Sequence, residues 1–318
     1  MNLPCVIGMD IGGTNMRIGA VSLDGILLDR RIEPSCGISA GAPETAVRDL
    51  AEYIQNYIAG MSLDARGIAV AFPATLDADR KIVYSASNLG KDAHSRFDGI
   101  NVARDLQRFF RVPVFIGKDS DFILYNDVNL LDIAGEAGMI TGIYFGTGIG
   151  SSFILHGETY RGIDGVAGEI GHLPISDNRR MCTCGKSCGC CETVASGWRL
   201  QQINEEQFPG EPLSQLFVRH AGHTAVRTFV FDCARVIALT VNLLNSAYTV
   251  VGGGVVNMEE FPRELLLEDV LGMLRTPYPK NGFRLLFSPG GQDAGILGAA
   301  QLLFRKLDLS SSQEDEKE

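Results

Sequence analysis

Two glycine-rich turns, each set between short apolar segments, constrain the fold of this chain more than any other feature. The first, Asp10-Ile-Gly12-Gly13-Thr14, follows the apolar Val6–Met9 and precedes residues that alternate between apolar and polar. The second, Gly146-Thr147-Gly148-Ile149-Gly150, lies between Thr141–Phe145 and Ser151–Leu155. Strand-forming segments on both sides of a tight turn predict antiparallel strand pairs. Two halves that each begin with such a pair predict an α/β protein with two domains and an interdomain active-site cleft.

Apolar residues at helical spacing predict helices in both halves, and short apolar runs predict further strands. Asp119 stands where one of these strands ends and the next helix would begin. The predicted helices are Glu44–Ala59, Val102–Phe110, Ala225–Ser246 and Ala294–Leu307, and the predicted further strands are Gly67–Phe72, Pro113–Ile116 and Tyr248–Val251.

The composition is typical of a soluble globular protein and excludes several classes. The 318 residues suffice for two domains with their own cores, and 45% are apolar. A net charge of −10 provides no positive field for nucleic acid or for an anionic membrane, so neither partner is expected. The N-terminus lacks a secretion signal and no apolar run reaches the length of a membrane span, so we expect a cytoplasmic protein. The acidic tail, residues 309–318, is expected to be disordered.

Five of the eight cysteines lie between Cys182 and Cys191, shortly after His172. Without a secretion signal, clustered thiols near a histidine indicate a metal site rather than disulfides. A closed Cys₃His site is typical of structural zinc, which would shape the loop and leave catalysis to other groups. The spacing identifies His172, Cys182 and Cys184 as three ligands and leaves Cys188, Cys190 and Cys191 as candidates for the fourth.

The first glycine turn has the chemistry of a phosphate site. Asp10 stands at a strand end, where its carboxylate could hold Mg²⁺ or its water shell, and the glycines let backbone amides approach an anion. The alternative is an ordinary β-turn. The second glycine turn favours phosphate binding, because a β,γ-phosphate clamp needs a second donor-rich turn. Neither turn matches a P-loop or the dinucleotide-binding fingerprint.

Two further features have both a functional and an ordinary interpretation. Gly252-Gly253-Gly254 after a strand could let a nucleoside lie flat on the backbone, or could form a tight turn. Asp119 could cap a helix, or could accept the proton of a substrate hydroxyl, which phosphoryl transfer to an alcohol requires.

Taken together, these motifs resemble the repressor, open-reading-frame and kinase (ROK) family, within the sugar kinase, heat-shock and actin superfamily. The resemblance extends from Asp10 to the final helix, and its most specific part is Gly168-Glu169-Ile-Gly-His172 with Cys182-Thr-Cys184-Gly. It implies the actin-like ATPase fold and ATP-dependent phosphorylation of a hexose at its 6-hydroxyl. It also implies Mg²⁺ with ATP, a structural Zn²⁺ and a homodimer.

The same resemblance gives each motif a role. Asp119 matches the catalytic base, and the implied domains are residues 1–118 with 294–308, and residues 119–293 with the zinc loop 172–192. His172 would bind sugar through one ring nitrogen and zinc through the other. The ATP contacts fall on Asp10, Gly12, Gly13, Thr14, Thr147, Gly148, Gly253 and Gly254; the sugar contacts fall on Asn88, Lys118, Asp119, Glu169, His172 and Glu192; the zinc ligands are His172, Cys182, Cys184 and Cys190.

Four positions depart from the family pattern. The segment Cys184–Glu192 is one residue longer than usual, and alignment on Gly189-Cys190-x-Glu192 favours Cys190 over Cys188 as the fourth ligand. Ala71-Phe72-Pro73-Ala74 replaces Gly-x-Pro-Gly, and Ser151 replaces an apolar residue. Lys118 replaces an asparagine that contacts ring hydroxyls; because lysine has no acceptor and a longer reach, we expect a changed epimer preference. Within the family the chain is similar to D-allose kinases, which share the basic residue and the Phe-Pro-Ala loop.

Three other functions compete with this one. A glucokinase or an N-acetylmannosamine kinase would share the family's motifs. A sugar-responsive repressor with the same fold is expected to carry a helix-turn-helix before the first glycine turn, and Asp10 leaves no room for one. A zinc-stabilised structural module would give Asp119 and the two glycine turns no purpose.

Overall fold

The computed structural model describes residues 3–86, 89, 94–136 and 138–307. These residues fold into two compact units, each with its own sheet and its own apolar core. The first unit holds the described residues of Met1–Leu131, Arg161–Val166 and Gly290–Glu318, and the second holds those of Asp132–Tyr160 and Ala167–Pro289. No helix within the described ranges combines the length and the hydropathy needed to cross a bilayer.

The first unit is built on a mixed sheet of five strands. These are β1 (Pro4–Ile11), β2 (Asn15–Ser22), β3 (Leu27–Pro34), β4 (Asp64–Phe72) and β7 (Val114–Lys118). β1, β2 and β3 pair antiparallel, whereas β1, β4 and β7 pair parallel, which gives the order β3-β2-β1-β4-β7. β1 and β4 are nearly continuous apolar runs because both of their faces are buried. A separate hairpin joins β5 (Thr75–Leu76) to β6 (Val83–Ser85).

Five helices complete this unit: α1 (Cys36–Ser39), α2 (Ala46–Gly60), α3 (Val102–Gln107), α4 (Asp119–Leu130) and α10 (Ala294–Leu307).

Two glycines allow α10 to pack closely on its neighbours. A Cβ at Gly8 of β1 would come within 2.5 Å of the Ile296 carbonyl oxygen, and a Cβ at Gly298 would overlap the backbone of Phe122 in α4. Because of this packing, α4 belongs to the first unit. The predicted domain boundary lies after Lys118 and would place α4 in the second domain, whereas the contacts of the folded chain place α4 in the first unit.

The second unit repeats the plan of the first sheet. Its strands are β8 (Ile140–Phe145), β9 (Ile149–Leu155), β10 (Glu158–Thr159), β11 (Tyr248–Gly252) and β12 (Leu285–Phe287), in the order β10-β9-β8-β11-β12. Its helices are α5 (Glu192–Ala195), α6 (Gly197–Gln207), α7 (Leu216–His220), α8 (Thr224–Leu244) and α9 (Arg263–Met273). The longest, α8, supplies buried residues such as Phe229, Val236 and Ile237 to the core of this unit.

The predicted antiparallel pairs are confirmed, since the glycine turns join β1 to β2 and β8 to β9. Helix α10 begins and ends at the predicted residues. Helix α2 begins at Ala46 rather than Glu44 because Pro43–Thr45 form a 3₁₀ turn, and α3 ends at Gln107 rather than Phe110. The predicted disordered tail lies outside the described residues.

Candidate active-site residues and metal centre

Asp10 and Asp119 lie at the same edge of the first unit's sheet. Asp10 of β1 is in register with Ala71 of β4, and the next residue of β4 is in register with Lys118, directly before Asp119. The first turn of α10 covers Asp10, since a Cβ at Gly295 would come within 2.7 Å of Asp10 Cβ. The two carboxylates are close enough for the charge of Asp10 to raise the pKa of Asp119. The parallel strands therefore bring the predicted Mg²⁺ ligand and the predicted base together.

The surroundings of the Asp119 carboxylate raise its pKa towards neutrality. Burial and then the charge of Asp10 raise its pKa from 3.8 to about 7. The Lys118 ammonium opposes the rise, as does the Ser120 N–H, which donates to Asp119 Oδ1 over 2.7 Å. Asp119 begins α4 as predicted, but the N-cap is Lys118, so helix capping does not explain the carboxylate. A carboxylate with a pKa near 7 is suited to accept and release a proton at physiological pH.

Asp10 has a cationic neighbour that the sequence analysis missed. Burial raises the pKa of Asp10, and Arg17 opposes this rise from 3.8 Å, measured between Arg17 Nη1 and Asp10 Oδ2. The sequence could have predicted this neighbour, because a hairpin through the first glycine turn pairs Asp10 directly with Arg17.

The first glycine turn is held by hydrogen bonds to its carbonyl groups. The Ser35 hydroxyl donates to the Gly12 carbonyl over 2.5 Å, and the Ser35 N–H donates to the Thr14 carbonyl over 2.9 Å. Gly12 N–H donates to the Asn15 carbonyl and closes the turn. Gly13 and Thr14 stay exposed, where their backbone is accessible to a ligand.

The predicted sugar contacts of this unit are only partly described. Lys118 is half-buried at the end of β7, beside Asp119. Asn88 lies outside the described residues.

A buried ion pair close to Asp119 in the chain was not predicted. Arg80 Nη2 lies 2.8 Å from Asp121 Oδ2, and both side chains are less than a tenth exposed. Arg80 Nη1 also donates to the Gly165 carbonyl over 2.6 Å. Because Asp121 lies in the first turn of α4, Arg80 fixes the start of the helix that carries Asp119. No spacing rule could find this pair, because its residues lie 41 positions apart.

In the second unit, the second glycine turn is held by the start of α6. Gly197 N–H donates to the Gly146 carbonyl over 2.7 Å, and Trp198 N–H donates to the Thr147 carbonyl over 3.1 Å. Thr147 is exposed at the tip of the turn.

The third glycine motif lies against the strand that leads into this turn. Gly253 has φ +94°, and a Cβ there would come within 2.5 Å of the Phe145 carbonyl oxygen, so only glycine fits. Gly254 has open space around its Cβ position. The structure thus places Gly253 beside the end of β8, next to the turn that contains Thr147 and Gly148.

The Glu192 carboxylate joins the second glycine turn to the cysteine-rich loop, residues 172–192. Ile149 N–H donates to Glu192 Oε1 over 3.0 Å, and the Thr183 hydroxyl donates to Oε2 over 3.1 Å. Thr183 lies between two of the predicted zinc ligands, and no sequence signal singled it out.

Four side chains of the cysteine-rich loop meet at metal-binding distance. The ligand atoms of His172, Cys182, Cys184 and Cys190 all lie within 4.8 Å of one another. Cys182 Sγ is 3.4 Å from His172 Nδ1, and Cys184 Sγ is 3.8 Å from Cys190 Sγ. Tetrahedral zinc with bonds of about 2.0–2.3 Å requires ligand atoms roughly 3.5–3.8 Å apart, so this donor set fits zinc. Cys188 Sγ lies 3.7 Å from Cys190 Sγ but is not in the group of four.

His172 faces two partners. Its Nδ1 points to the thiols, and its Nε2 lies 3.7 Å from Glu169 Oε2. One ring nitrogen is therefore available to the metal while the other lies beside a predicted sugar contact. Burial and the neighbouring Cys188 thiol raise the pKa of Cys190, and a bound cation would oppose this rise.

Comparison with known proteins places these residues in a family. The ROK family profile matches residues 6–306. The chain is 26% identical to the glucokinase of Thermotoga maritima over 322 residues, which cover 95% of this chain and 98% of the relative. It is 25% identical to the xylose repressor of Bacillus subtilis, with 93% of this chain and 76% of the repressor covered.

A solved structure gives the same fold. The ROK family glucokinase from Streptomyces griseus, in complex with glucose and AMPPNP, superposes with a TM-score of 0.76 at 23% identity, over 94% of this chain and 98% of that one. The mixed sheets of the two units are accordingly those of the actin-like ATPase fold. With a profile match that extends over nearly its whole length, the chain belongs to the ROK family.

Proposed function

We propose that this protein transfers the γ-phosphoryl group of ATP to the 6-hydroxyl of a hexose, with D-allose as the preferred acceptor. The observation that carries the proposal is the position of the Asp119 carboxylate at the strand ends beside Asp10, where burial and the charge of Asp10 raise its pKa to about 7. Phosphoryl transfer to an alcohol needs a group that positions the hydroxyl and accepts its proton. Family membership, and a full-length match to a glucokinase, support the coarser statement that the protein is a sugar kinase.

In the proposed reaction, the sugar hydroxyl oxygen attacks the γ-phosphorus while the bond to the β,γ-bridging oxygen breaks. Asp119 accepts the hydroxyl proton, and ADP leaves. The backbone amides of the two glycine turns, around Gly13 and Gly148, hold the phosphates and spread the developing charge. Gly253 and Gly254 would contact the adenosine, and Gly254 has free space around its Cβ position.

Asp10 is the proposed Mg²⁺ ligand, directly or through water. An oxygen donor suits this hard cation, and a cation beside the carboxylate would oppose the rise that burial causes in the pKa of Asp10. Bound Mg²⁺ would neutralise charge on the phosphates of ATP.

Zinc is the proposed occupant of the cysteine-rich loop, with His172, Cys182, Cys184 and Cys190 as ligands. The set is closed, so zinc would order the loop rather than activate water. Glu169, His172 and Glu192, the proposed sugar contacts of this unit, lie on or beside that loop.

D-allose is proposed because of Lys118. This residue stands directly before Asp119, where the family's asparagine contacts ring hydroxyls, and an ammonium can only donate hydrogen bonds. D-allose differs from glucose in the orientation of its 3-hydroxyl, so a changed contact at this position alters the choice between these epimers. The resemblance to D-allose kinases supports the same assignment.

A coupled assay of ADP release across a hexose panel tests the proposal. We expect the highest kcat/KM with D-allose. A higher kcat/KM with glucose or N-acetylmannosamine would identify that sugar, instead of D-allose, as the preferred acceptor. The assignment as a sugar kinase would then stand. Sugar binding without ADP release would instead support a sugar-responsive regulator, the function named for the B. subtilis relative. The homodimer and the cytoplasmic location stay predictions.

A further inference from the structure

The carboxylate of Glu192 is enclosed by two backbone turns of the second unit. A Cβ at Gly148 would come within 2.6 Å of Glu192 Oε1, and a Cβ at Gly171 would come within 3.1 Å of Glu192 Cγ. Gly148 belongs to the second glycine turn, and Gly171 directly precedes His172. The side chain therefore sits between the proposed phosphate turn and the proposed zinc site.

Two hydrogen bonds set the orientation of this carboxylate. Oε1 accepts from the Ile149 N–H over 3.0 Å, at the point where the second glycine turn enters β9. Oε2 accepts from the Thr183 hydroxyl over 3.1 Å. Hydrogen bonds to a charged acceptor are stronger than neutral ones. Without the Thr183 hydroxyl, the carboxylate could rotate and its bond to the Ile149 amide would weaken.

Besides Glu192 Oε2, the Thr183 hydroxyl contacts Cys182 Sγ, at 3.9 Å. Thr183 is exposed, it is not one of the four clustered ligands, and it stands between two of them, Cys182 and Cys184. Ordering of the cysteine-rich loop fixes where its hydroxyl lies. The position of the Thr183 hydroxyl therefore affects, through its hydrogen bond to Glu192, the backbone of the turn that contains Thr147 and Gly148.

We propose that Thr183 is a positioning residue for nucleotide binding. Through Glu192 it holds the second glycine turn in its phosphate-binding shape, so the metal loop governs affinity for ATP as well as for sugar. The proposal rests on the proposed role of Thr147 and Gly148 in binding phosphate.

Thr183→Val and Thr183→Ser provide a matched test. Valine keeps the branched shape and removes the hydroxyl, whereas serine keeps the hydroxyl; an exposed position tolerates both. Binding of Mg-AMPPNP is measured by titration calorimetry on the zinc-loaded protein without hexose, and the zinc content of each variant is measured alongside. We expect Thr183→Val to weaken AMPPNP binding about three- to tenfold, the effect of one ordinary hydrogen bond lost at an exposed position. Thr183→Ser is expected to bind like the parent.

Each other outcome overturns part of the account. Unchanged AMPPNP affinity in Thr183→Val would refute the positioning role for nucleotide binding. If hexose binding were weaker in the same variant, Thr183 would affect sugar binding alone. Weaker binding that follows loss of zinc would refute the hydrogen bond as the cause. Failure of the parent protein itself to bind Mg-AMPPNP would refute the proposed kinase function, which separates the two failures.

Discussion

Replacing Asp119 by asparagine should abolish turnover and, at alkaline pH, stabilise the fold. Asparagine has nearly the same shape but cannot accept the hydroxyl proton. Its effect on stability follows from the pKa of Asp119, which burial and the charge of Asp10 raise from 3.8 to about 7. Because each pKa unit corresponds to about 1.4 kcal/mol, holding this carboxylate ionised in the folded state costs up to about 4 kcal/mol.

The sign of the pH dependence follows from this raised pKa. Between pH 4 and 7 the folded protein retains a proton on Asp119 that the unfolded chain releases. The stabilising contribution of this proton is fully present below pH 4 and is lost as the pH rises through 7. Asp119→Asn resembles the protonated form, so its free energy of unfolding should exceed that of the parent at pH 8.5, and the two should be similar near pH 4.

Activity should follow the same titration in the opposite direction. The parent kcat/KM should rise about tenfold from pH 6 to pH 8 and then level off, as the free base becomes ionised. The assay is ADP release from pH 5.5 to 9, with urea unfolding of the same proteins at pH 4 and 8.5. Glu52→Gln removes an exposed carboxylate on α2, with 61% of its side chain accessible, and should change neither measurement. Substantial kcat in Asp119→Asn, or a flat profile between pH 6 and 8, would refute Asp119 as the base.

Three further substitutions test other parts of the account. Arg80→Met removes the guanidinium that lies 2.8 Å from the buried Asp121 carboxylate. Urea unfolding should show a free energy of unfolding lower by about 3–5 kcal/mol, because the carboxylate is left buried without its partner. A loss below about 1 kcal/mol would refute a structural role for this ion pair. Lys118→Asn should shift the ratio of kcat/KM for D-allose to that for glucose at least about tenfold towards glucose, and an unchanged ratio would exclude Lys118 from epimer selection. Cys182→Ser should lower zinc content and thermal stability and raise hexose KM about fivefold or more, whereas normal kinetics in a zinc-free protein would contradict the role of the loop.

Local patterns in the sequence predicted much of the fold. The hairpins around both glycine turns and the start of α4 at Asp119 depend on residues close in sequence, and all three are present. Helix α9 was not predicted, because Leu265-Leu266-Leu267 are consecutive and only Leu266 and Val270 are buried. Strand β12 has three residues, too few for a detectable alternation.

The site was less predictable where it depends on tertiary contacts. The cluster of proposed metal ligands could be predicted because three cysteines and a histidine lie within one short segment. The Arg80 pair with Asp121 and the hydrogen bond from Ile149 to Glu192 join residues far apart in sequence, so only the folded chain reveals them. The predicted boundary after Lys118 differs from the division of the folded chain for the same reason, because α4 packs on α10 from the opposite end of the chain.

The most direct test of the central claim is the ADP-release assay with Mg-ATP and a panel of hexose epimers. We predict turnover that depends on both ATP and hexose, that is highest in kcat/KM with D-allose, and that yields a 6-phosphate. Absence of hexose-dependent ADP release from zinc-loaded protein at pH 8 would contradict the proposed kinase, whatever the sugar.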